Sequence, residues 1–130
     1  MKLSEMKTND ELVAEELRND PVFRAEWERT ALARAVAVAV IRCRADRDLS
    51  QRDLAGILGM EQPQVARLER GDVNPNMETL MRVASGLGIE FTIDVRPAGS
   101  KARLVTKKAL TDSIVGELHT ERAELLVAAA

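Results

Sequence analysis

Two short helices that meet at one glycine constrain the fold of this chain more than any other part of its sequence. The first is predicted to begin at Ser50, a good capping residue with an acidic residue three positions later, and to end at Gly59. The second is predicted over residues 61–70 and is stopped by Gly71. Glycine adopts the left-handed conformation of a helix end without steric cost, so the two helices can turn sharply and pack against each other.

The inner face of this helix pair has the apolar spacing of a helix-turn-helix. Ala55 falls where the two helices cross, and a larger side chain there would push the second helix away. The wedge between the helices is filled by Leu54, Leu58, Val65 and Leu68. The outer face of the second helix then carries three polar side chains, which are Gln62, Gln64 and Arg67.

Amide side chains at the start of such an outer face predict base reading in DNA. The second helix of a helix-turn-helix enters the major groove, where a glutamine pairs bidentately with adenine for about 1–3 kcal/mol of discrimination. Gln51 is predicted to contact a phosphate beside exposed backbone N–H groups, and Arg67 a guanine or a phosphate. Arg52 and Arg70 complete the predicted DNA-binding set. The simpler alternative is that the amides are ordinary solvated side chains.

Two further helices are predicted before this pair. A short one is capped by Asn9 or Asp10, and a long one opens at Pro21 and runs to about Arg47. The alternation of valine over residues 36–40 would also suit a strand. Helix-favouring Ala, Arg and Glu surround it, so a helix is predicted.

After the pair, a helix capped by Asn76 is followed by one strand and a less regular tail. Residues 89–95, IEFTIDV, alternate apolar and polar side chains, which predicts a strand with one buried face. A lone strand must pair with something. A hairpin with residues 103–106, a copy of itself across a dimer axis, or the sheet edge of a toxin would each suit it. The tail from about residue 106 is predicted to be helical or frayed, because helical spacing relates Leu110, Ile114 and Leu118.

Composition argues against several classes of protein. The single cysteine, Cys43, forms no internal disulfide, which fits a reducing compartment. The longest apolar run, residues 35–41, is far short of the roughly 20 residues that span a bilayer, and the acidic N-terminus lacks a signal-peptide core. We therefore expect a cytoplasmic protein without membrane contact. A net charge of −2 provides no broad basic surface, so DNA contact must rest on a local site.

The sequence has no recognisable catalytic or metal-binding pattern. It lacks a Cys/His pair and a glycine-rich phosphate loop, and His119 stands in the tail without a second ligand nearby. We therefore expect no enzymatic activity, no metal and no cofactor.

Residues 32–93 resemble the Xre/Cro-type helix-turn-helix family. The stretch LSQRDLAGILGMEQPQVARLERGDVNPNMETLMRVASGLGIEFTI follows the family pattern LSQ–LA–LG–V–LERG–P–TL–A–LG. The resemblance implies a λ-repressor-like bundle, DNA binding and a homodimer, with the DNA-facing positions of the family at Gln51, Gln62, Gln64 and Arg67. Pro63 departs from the Ser or Thr of many members, and a similar Pro-Gln pattern occurs in multiprotein-bridging coactivators, which do not read bases.

The residues before this domain resemble the N-terminal extension of HigA-type antitoxins. That resemblance implies a protein that represses its own promoter and neutralises a small basic RelE/HigB-like ribonuclease toxin. Phe23 and Trp27, with Leu12 and Leu17, are the candidate partner-binding residues. The alternative is that Phe23 and Trp27 only pack the N-terminal helices onto the domain.

The combined prediction is a mainly α protein built around a λ-repressor-like helix-turn-helix bundle. Residues 1–31 form an N-terminal helical extension, residues 32–96 the DNA-binding domain ending in a short strand, and residues 97–130 a linker and tail. The predicted function is that of a dimeric antitoxin on a palindromic operator of double-stranded DNA. A free-standing Xre-family repressor and a coactivator-like adaptor are the alternatives.

Overall fold

The computed structural model describes residues 7–101, 103–105 and 107–130. Along these residues the elements are α1 (Asn9–Asn19), α2 (Pro21–Arg29), α3 (Ala31–Asp46), α4 (Gln51–Leu58), α5 (Gln62–Arg70), α6 (Met77–Leu87), β1 (Phe91–Pro97), α7 (Lys107–Leu110), β2 (Ile114–His119) and β3 (Ala123–Ala129). The predicted fold class, a mainly helical protein with a helix-turn-helix, is confirmed. No helix of these described residues is long and apolar enough to cross a membrane.

Helix α3 lies at the centre of the molecule, between α5 on one side and the sheet on the other. Its alternating Ala and Val side chains are almost all buried, since both faces of the helix are covered. Small side chains permit this close packing. A Cβ added to Gly71 would lie 3.2 Å from the Cα of Arg34, and one added to Gly116 would lie 2.7 Å from the Cβ of Ala35. The valines alternate because this helix is buried on two sides, and the prediction of a helix over residues 36–40 is confirmed.

The predicted single helix from Pro21 to Arg47 is wrong, because the chain breaks at Thr30 into α2 and α3. The freed backbone groups find partners. The amide of Asn74, in the turn before α6, donates to the carbonyl of Arg29 at 2.8 Å and accepts from the N–H of Ala33 at 3.0 Å. One side chain thus caps two helix ends from about 40 positions away in the sequence. Such a partner leaves no local signal in the sequence.

The first helix is capped differently from the prediction. Thr8 is the capping residue in place of Asn9 or Asp10, and its hydroxyl accepts from the N–H of Glu11 at 3.1 Å. The Glu11 carboxylate returns a bond by accepting from the N–H of Thr8, also at 3.1 Å. This reciprocal pair favours Thr8 over its neighbours.

The prediction of a helical or frayed tail is corrected by the structure. Residues 114–119 and 123–129 form β2 and β3, and the three strands make an antiparallel sheet in the order β1–β3–β2. The partner of β1 is therefore β3. Residues 103–105 form no strand, so the hairpin predicted for residues 103–106 is wrong for its described part, and residue 106 lies outside the described residues. Val127, fully buried between the sheet and α3, shows why packing overrides the helical spacing of the tail. The division of the chain at residues 31 and 96 stays a prediction.

The two faces of β1 are reversed relative to the expected burial. Ile93 and Val95 are 38% and 70% exposed, whereas Asp94 and Arg96 are half-buried in ion pairs. Helix α3 covers β2 and β3, so the edge strand reaches beyond it. On the face of β1 opposite to Ile93 and Val95, the guanidinium of Arg103 lies 3.4 Å from the carboxylate of Asp94. Only Phe91, at the start of the strand, packs against the helical core.

Candidate nucleic-acid interface

Helices α4 and α5 form the predicted wedge. Gly59 ends α4 in the left-handed conformation with φ of 66°. The wedge residues Leu54, Ala55, Leu58 and Val65 are buried, and Leu68 packs against them. At the start of α4 the Ser50 hydroxyl accepts from the N–H of Asp53 at 3.0 Å. The N–H groups of Gln51 and Arg52 have no intrahelical partners, because the first amides of a helix lack a carbonyl four residues earlier. These groups and the helix dipole make this end of α4 attractive to an anion.

The first turns of α4 and α5 are joined by their glutamines. The Gln62 amide donates to the carbonyl oxygen of Gln51 at 2.7 Å, and the Gln51 amide donates to Glu69 at 3.3 Å. The side chains of the two predicted DNA-contacting residues therefore hold each other in one orientation. Gln62 is exposed, while Gln51 is half-buried beside it.

An ion pair beneath the surface supports these glutamines. Arg44 donates two hydrogen bonds of 2.9 Å to the Glu69 carboxylate, and a third bond of 3.0 Å to the carbonyl of Leu49. The Glu69 side chain is only 7% exposed. Its hydrogen bonds and charge raise the pKa of Arg44 above its ordinary value. The pair connects the end of α3 to α5 and fixes the carboxylate that Gln51 contacts.

Sequence reasoning missed both members of this pair. No pairing was predicted for Arg44 or Glu69, whereas the structure pairs their side chains at 2.9 Å. Glu69 lies one turn after buried Val65, on the side of α5 that faces α3. A carboxylate buried at such a position needs a cationic partner, so the position of Glu69 in the sequence could have predicted an ion pair with a residue of α3.

The remaining predicted contact residues are all exposed on or beside the same helix pair. Gln64 accepts from the N–H of Glu61 at 2.8 Å through its carbonyl oxygen, so its amide NH2 points away from the cap and is free to donate. Arg67 has no ion-pair partner among the described residues, and Arg70 is 3.8 Å from Asp72 in an exposed pair. Arg52 is exposed in the first turn of α4. Pro63 occupies the first turn of α5, where its missing N–H costs no helical bond.

The candidate partner-binding residues lie on α1 and α2. The rings of Phe23 and Trp27 are 5.9 Å apart, and the guanidinium of Arg34 stacks over Trp27 at 3.6 Å. This cation–π contact ties α2 to α3, and burial lowers the pKa of Arg34. Both rings are half-buried, as is Leu17, whereas Leu12 is 49% exposed. The rings thus have a packing role, and a partner role for this region stays a prediction.

Comparisons with known proteins agree with this geometry. A family model described as "Helix-turn-helix" matches residues 40–93. The chain is 30% identical over 92 residues to an "Uncharacterized HTH-type transcriptional regulator" of Haemophilus influenzae, and the alignment covers 71% of this chain and 90% of the relative. It is 35% identical over 75 residues to "Antitoxin HigA1" of Mycobacterium tuberculosis, covering 58% of this chain but only 50% of HigA1. No solved structure gives a significant match.

Proposed function

The chain belongs to the Xre-type helix-turn-helix family of DNA-binding transcriptional regulators, and on that premise we propose that it is a sequence-specific antitoxin. It represses its own promoter as a dimer on a palindromic operator and neutralises a small basic RelE/HigB-like ribonuclease toxin. Two copies place two recognition helices in successive major grooves, about 34 Å apart.

The single observation that carries base reading is the support of Gln62, at the start of α5, by Gln51 at the start of α4. Gln51, Gln62 and the Arg44–Glu69 pair form one connected set of hydrogen bonds. A side chain already held in its contact geometry loses less conformational entropy when it binds. In this proposal Gln62 and Gln64 read base edges, and Gln51 with the N-terminus of α4 contacts a phosphate. Arg67, Arg52 and Arg70 supply the cationic surroundings.

The antitoxin role is supported by the similarity to HigA1 and by the charge of α1. That helix, NDELVAEELRN, carries four carboxylates and one arginine. An acidic surface attracts a basic toxin and speeds association. A free-standing repressor is the second candidate, because the Haemophilus relative, 90% of whose length is aligned, carries only the name of a transcriptional regulator.

Removal of residues 1–19 should separate DNA binding from toxin neutralisation. The deletion takes away α1 but keeps Asp20, which caps α2 by accepting from the N–H groups of Val22 and Phe23 at 3.0 and 3.1 Å. We expect the shortened protein to bind the DNA upstream of its own reading frame as tightly as the full chain. We also expect it to lose the ability to relieve growth arrest caused by the product of the adjacent reading frame.

Two assays on the same proteins decide the matter: a footprint on the upstream DNA and growth during co-expression with the neighbouring product. A 130-residue protein that protects a palindrome and restores growth supports the proposal. Protection without an arresting neighbour favours the free-standing repressor. If the shortened protein still restores growth, the toxin contact lies outside α1.

Glu69→Gln should weaken operator binding several-fold while preserving the fold. The amide keeps the shape of the carboxylate but loses the charge that anchors Arg44, so Gln51 and Gln62 lose a fixed support. Removing a negative charge would by itself strengthen DNA binding. A loss of affinity, measured by fluorescence anisotropy, would therefore show that Glu69 positions Gln51 and Gln62 for DNA binding.

The matched control is Glu78→Gln. It removes the same charge from an exposed pair with Arg82, whose nitrogen lies 3.0 Å from the carboxylate. Affinity that changes equally in both variants would refute a positioning role for Glu69.

A further inference from the structure

The outer edge of β1 presents backbone hydrogen-bonding groups without a partner. In the pairing of β1 with β3, Glu90 exchanges both backbone bonds with Ala130, at 2.8 and 3.0 Å, and Ala98 donates to Arg122 at 3.0 Å. Alternation along an antiparallel ladder then directs the N–H and C=O groups of even-numbered residues toward β3. Those of Phe91, Ile93 and Val95 point away from it. No hydrogen bond among the described residues occupies these outward groups.

This free edge is short and bounded. Pro97 has no N–H, and its carbonyl already accepts from the N–H of Ser100 at 3.2 Å, so pairing cannot continue past it. The side chains that accompany the free backbone groups are Phe91, Ile93 and Val95, of which the last two are 38% and 70% exposed. An apolar edge with open backbone groups is a template for another strand.

We propose that β1 pairs with β1 of a second copy, antiparallel and centred on Ile93. In that register Ile93 opposes its own symmetry mate and Phe91 opposes Val95 of the other copy. All outward groups are satisfied by about six hydrogen bonds, two for each of three pairs. Thr92 then lies opposite Asp94, where its hydroxyl can donate to the carboxylate. The two sheets join into one antiparallel sheet of six strands.

The neighbouring registers are worse for definite reasons. Centring the axis on Asp94 places two carboxylates directly opposite each other, which is destabilising. Centring it on Val95 places Pro97 opposite Ile93, and the proline contributes no donor and no free acceptor. The register centred on Ile93 avoids both faults and pairs every outward backbone group of Phe91, Ile93 and Val95, so a second copy of the same strand fits this edge.

This inference rests on the proposed function, since it identifies the interface of the dimer that a palindromic operator requires. Its test is independent of DNA binding, because sedimentation measures the mass of the protein alone. The 130-residue protein is expected to sediment as a dimer. Ile93→Lys places two ammonium groups at the centre of the interface, and we expect the dimer dissociation constant to rise about 100-fold or more. Met81→Lys is the matched control, because Met81 is 66% exposed on α6. It should leave the dimer intact.

A cross-linking experiment tests the register itself. In a Cys43→Ala background, Ile93→Cys places two thiols on residues that face each other, with Cα atoms about 5.5 Å apart. Val95→Cys, although more exposed, places its thiols about 14 Å apart along the strand, because four residues separate them. A short bifunctional thiol reagent should join the first variant and not the second.

The proposal is overturned if the wild-type protein is a monomer, if Met81→Lys and not Ile93→Lys dissociates the dimer, or if Val95→Cys cross-links in preference to Ile93→Cys. A monomer that acquires a strand only from a different protein would also overturn it. Circular dichroism establishes that each variant is folded. A dimer that does not bind its upstream DNA would leave this interface intact and refute the proposed function alone.

Discussion

Replacing both Gln62 and Gln64 by alanine should reduce the preference for operator over scrambled DNA by about 30-fold or more. Each bidentate glutamine–adenine pair contributes about 1–3 kcal/mol of discrimination, and about 1.4 kcal/mol corresponds to a factor of ten. Both side chains are exposed and lie outside the apolar wedge. Their removal therefore costs the fold only the bond that Gln64 accepts from the N–H of Glu61 and the bond between Gln62 and Gln51. The measurement is fluorescence anisotropy on both DNAs at one fixed salt concentration.

Two controls distinguish base reading from a general loss of DNA binding. Arg67→Ala should weaken binding to both DNAs alike and reduce the salt slope by about one ion if Arg67 contacts a phosphate. Gln51→Ala combined with Gln62→Ala should cost less than the two single changes added together, because the residues share a hydrogen bond of 2.7 Å. Unchanged preference in the Gln62 and Gln64 double variant would show that these amides do not read bases.

Gly71→Ala should destabilise the fold by about 2–5 kcal/mol. The residue has φ of 67°, where an L side chain costs about 1–2 kcal/mol. The added Cβ would also lie 3.2 Å from the Cα of Arg34 and 3.3 Å from the Cβ of Ala37, which are parts of α3 that cannot rotate away. Overpacking of this kind costs a further 1–3 kcal/mol or so. Urea unfolding followed by circular dichroism measures the change.

Gly88→Ala is the control that separates the backbone cost of a positive φ from the steric cost of the added Cβ. Gly88 also ends a helix in the left-handed conformation, with φ of 66°, but no atom lies within 4 Å of the Cβ position. Its substitution should cost only the conformational part, about 1–2 kcal/mol. Equal losses in the two variants would mean that the contact of α5 with α3 relaxes and that close approach is not required there.

The candidate DNA-binding residues were accessible to sequence reasoning because their placement follows from local rules. Ser50 begins a helix through its side-chain hydroxyl, and Gly59 and Gly71 end helices through their backbone preference. The apolar spacing then leaves Gln62, Gln64 and Arg67 on the outside. The support under them was not accessible in this way. Arg44 and Glu69 are 25 positions apart, and only packing of α3 on α5 brings them together.

The C-terminal region shows the limit of local reasoning most clearly. Leu110, Ile114 and Leu118 have helical spacing, yet residues 114–119 form a strand. Pairing with β3 and contact of Gly116 with Ala35 outweigh that spacing, because strand formation depends on neighbours distant in the chain. The same pairing makes β1 an edge strand and leaves Ile93 and Val95 exposed, although the alternating pattern predicted that both would be buried.

The helix-turn-helix, its caps and its outward amides follow from local sequence, since each depends on residues within a few positions of one another. The break at Thr30, the Arg44–Glu69 support and the sheet with its open edge arise only from tertiary packing. Each of these joins segments distant in sequence. Their free energy comes from burial and hydrogen bonds that exist only after the chain has folded.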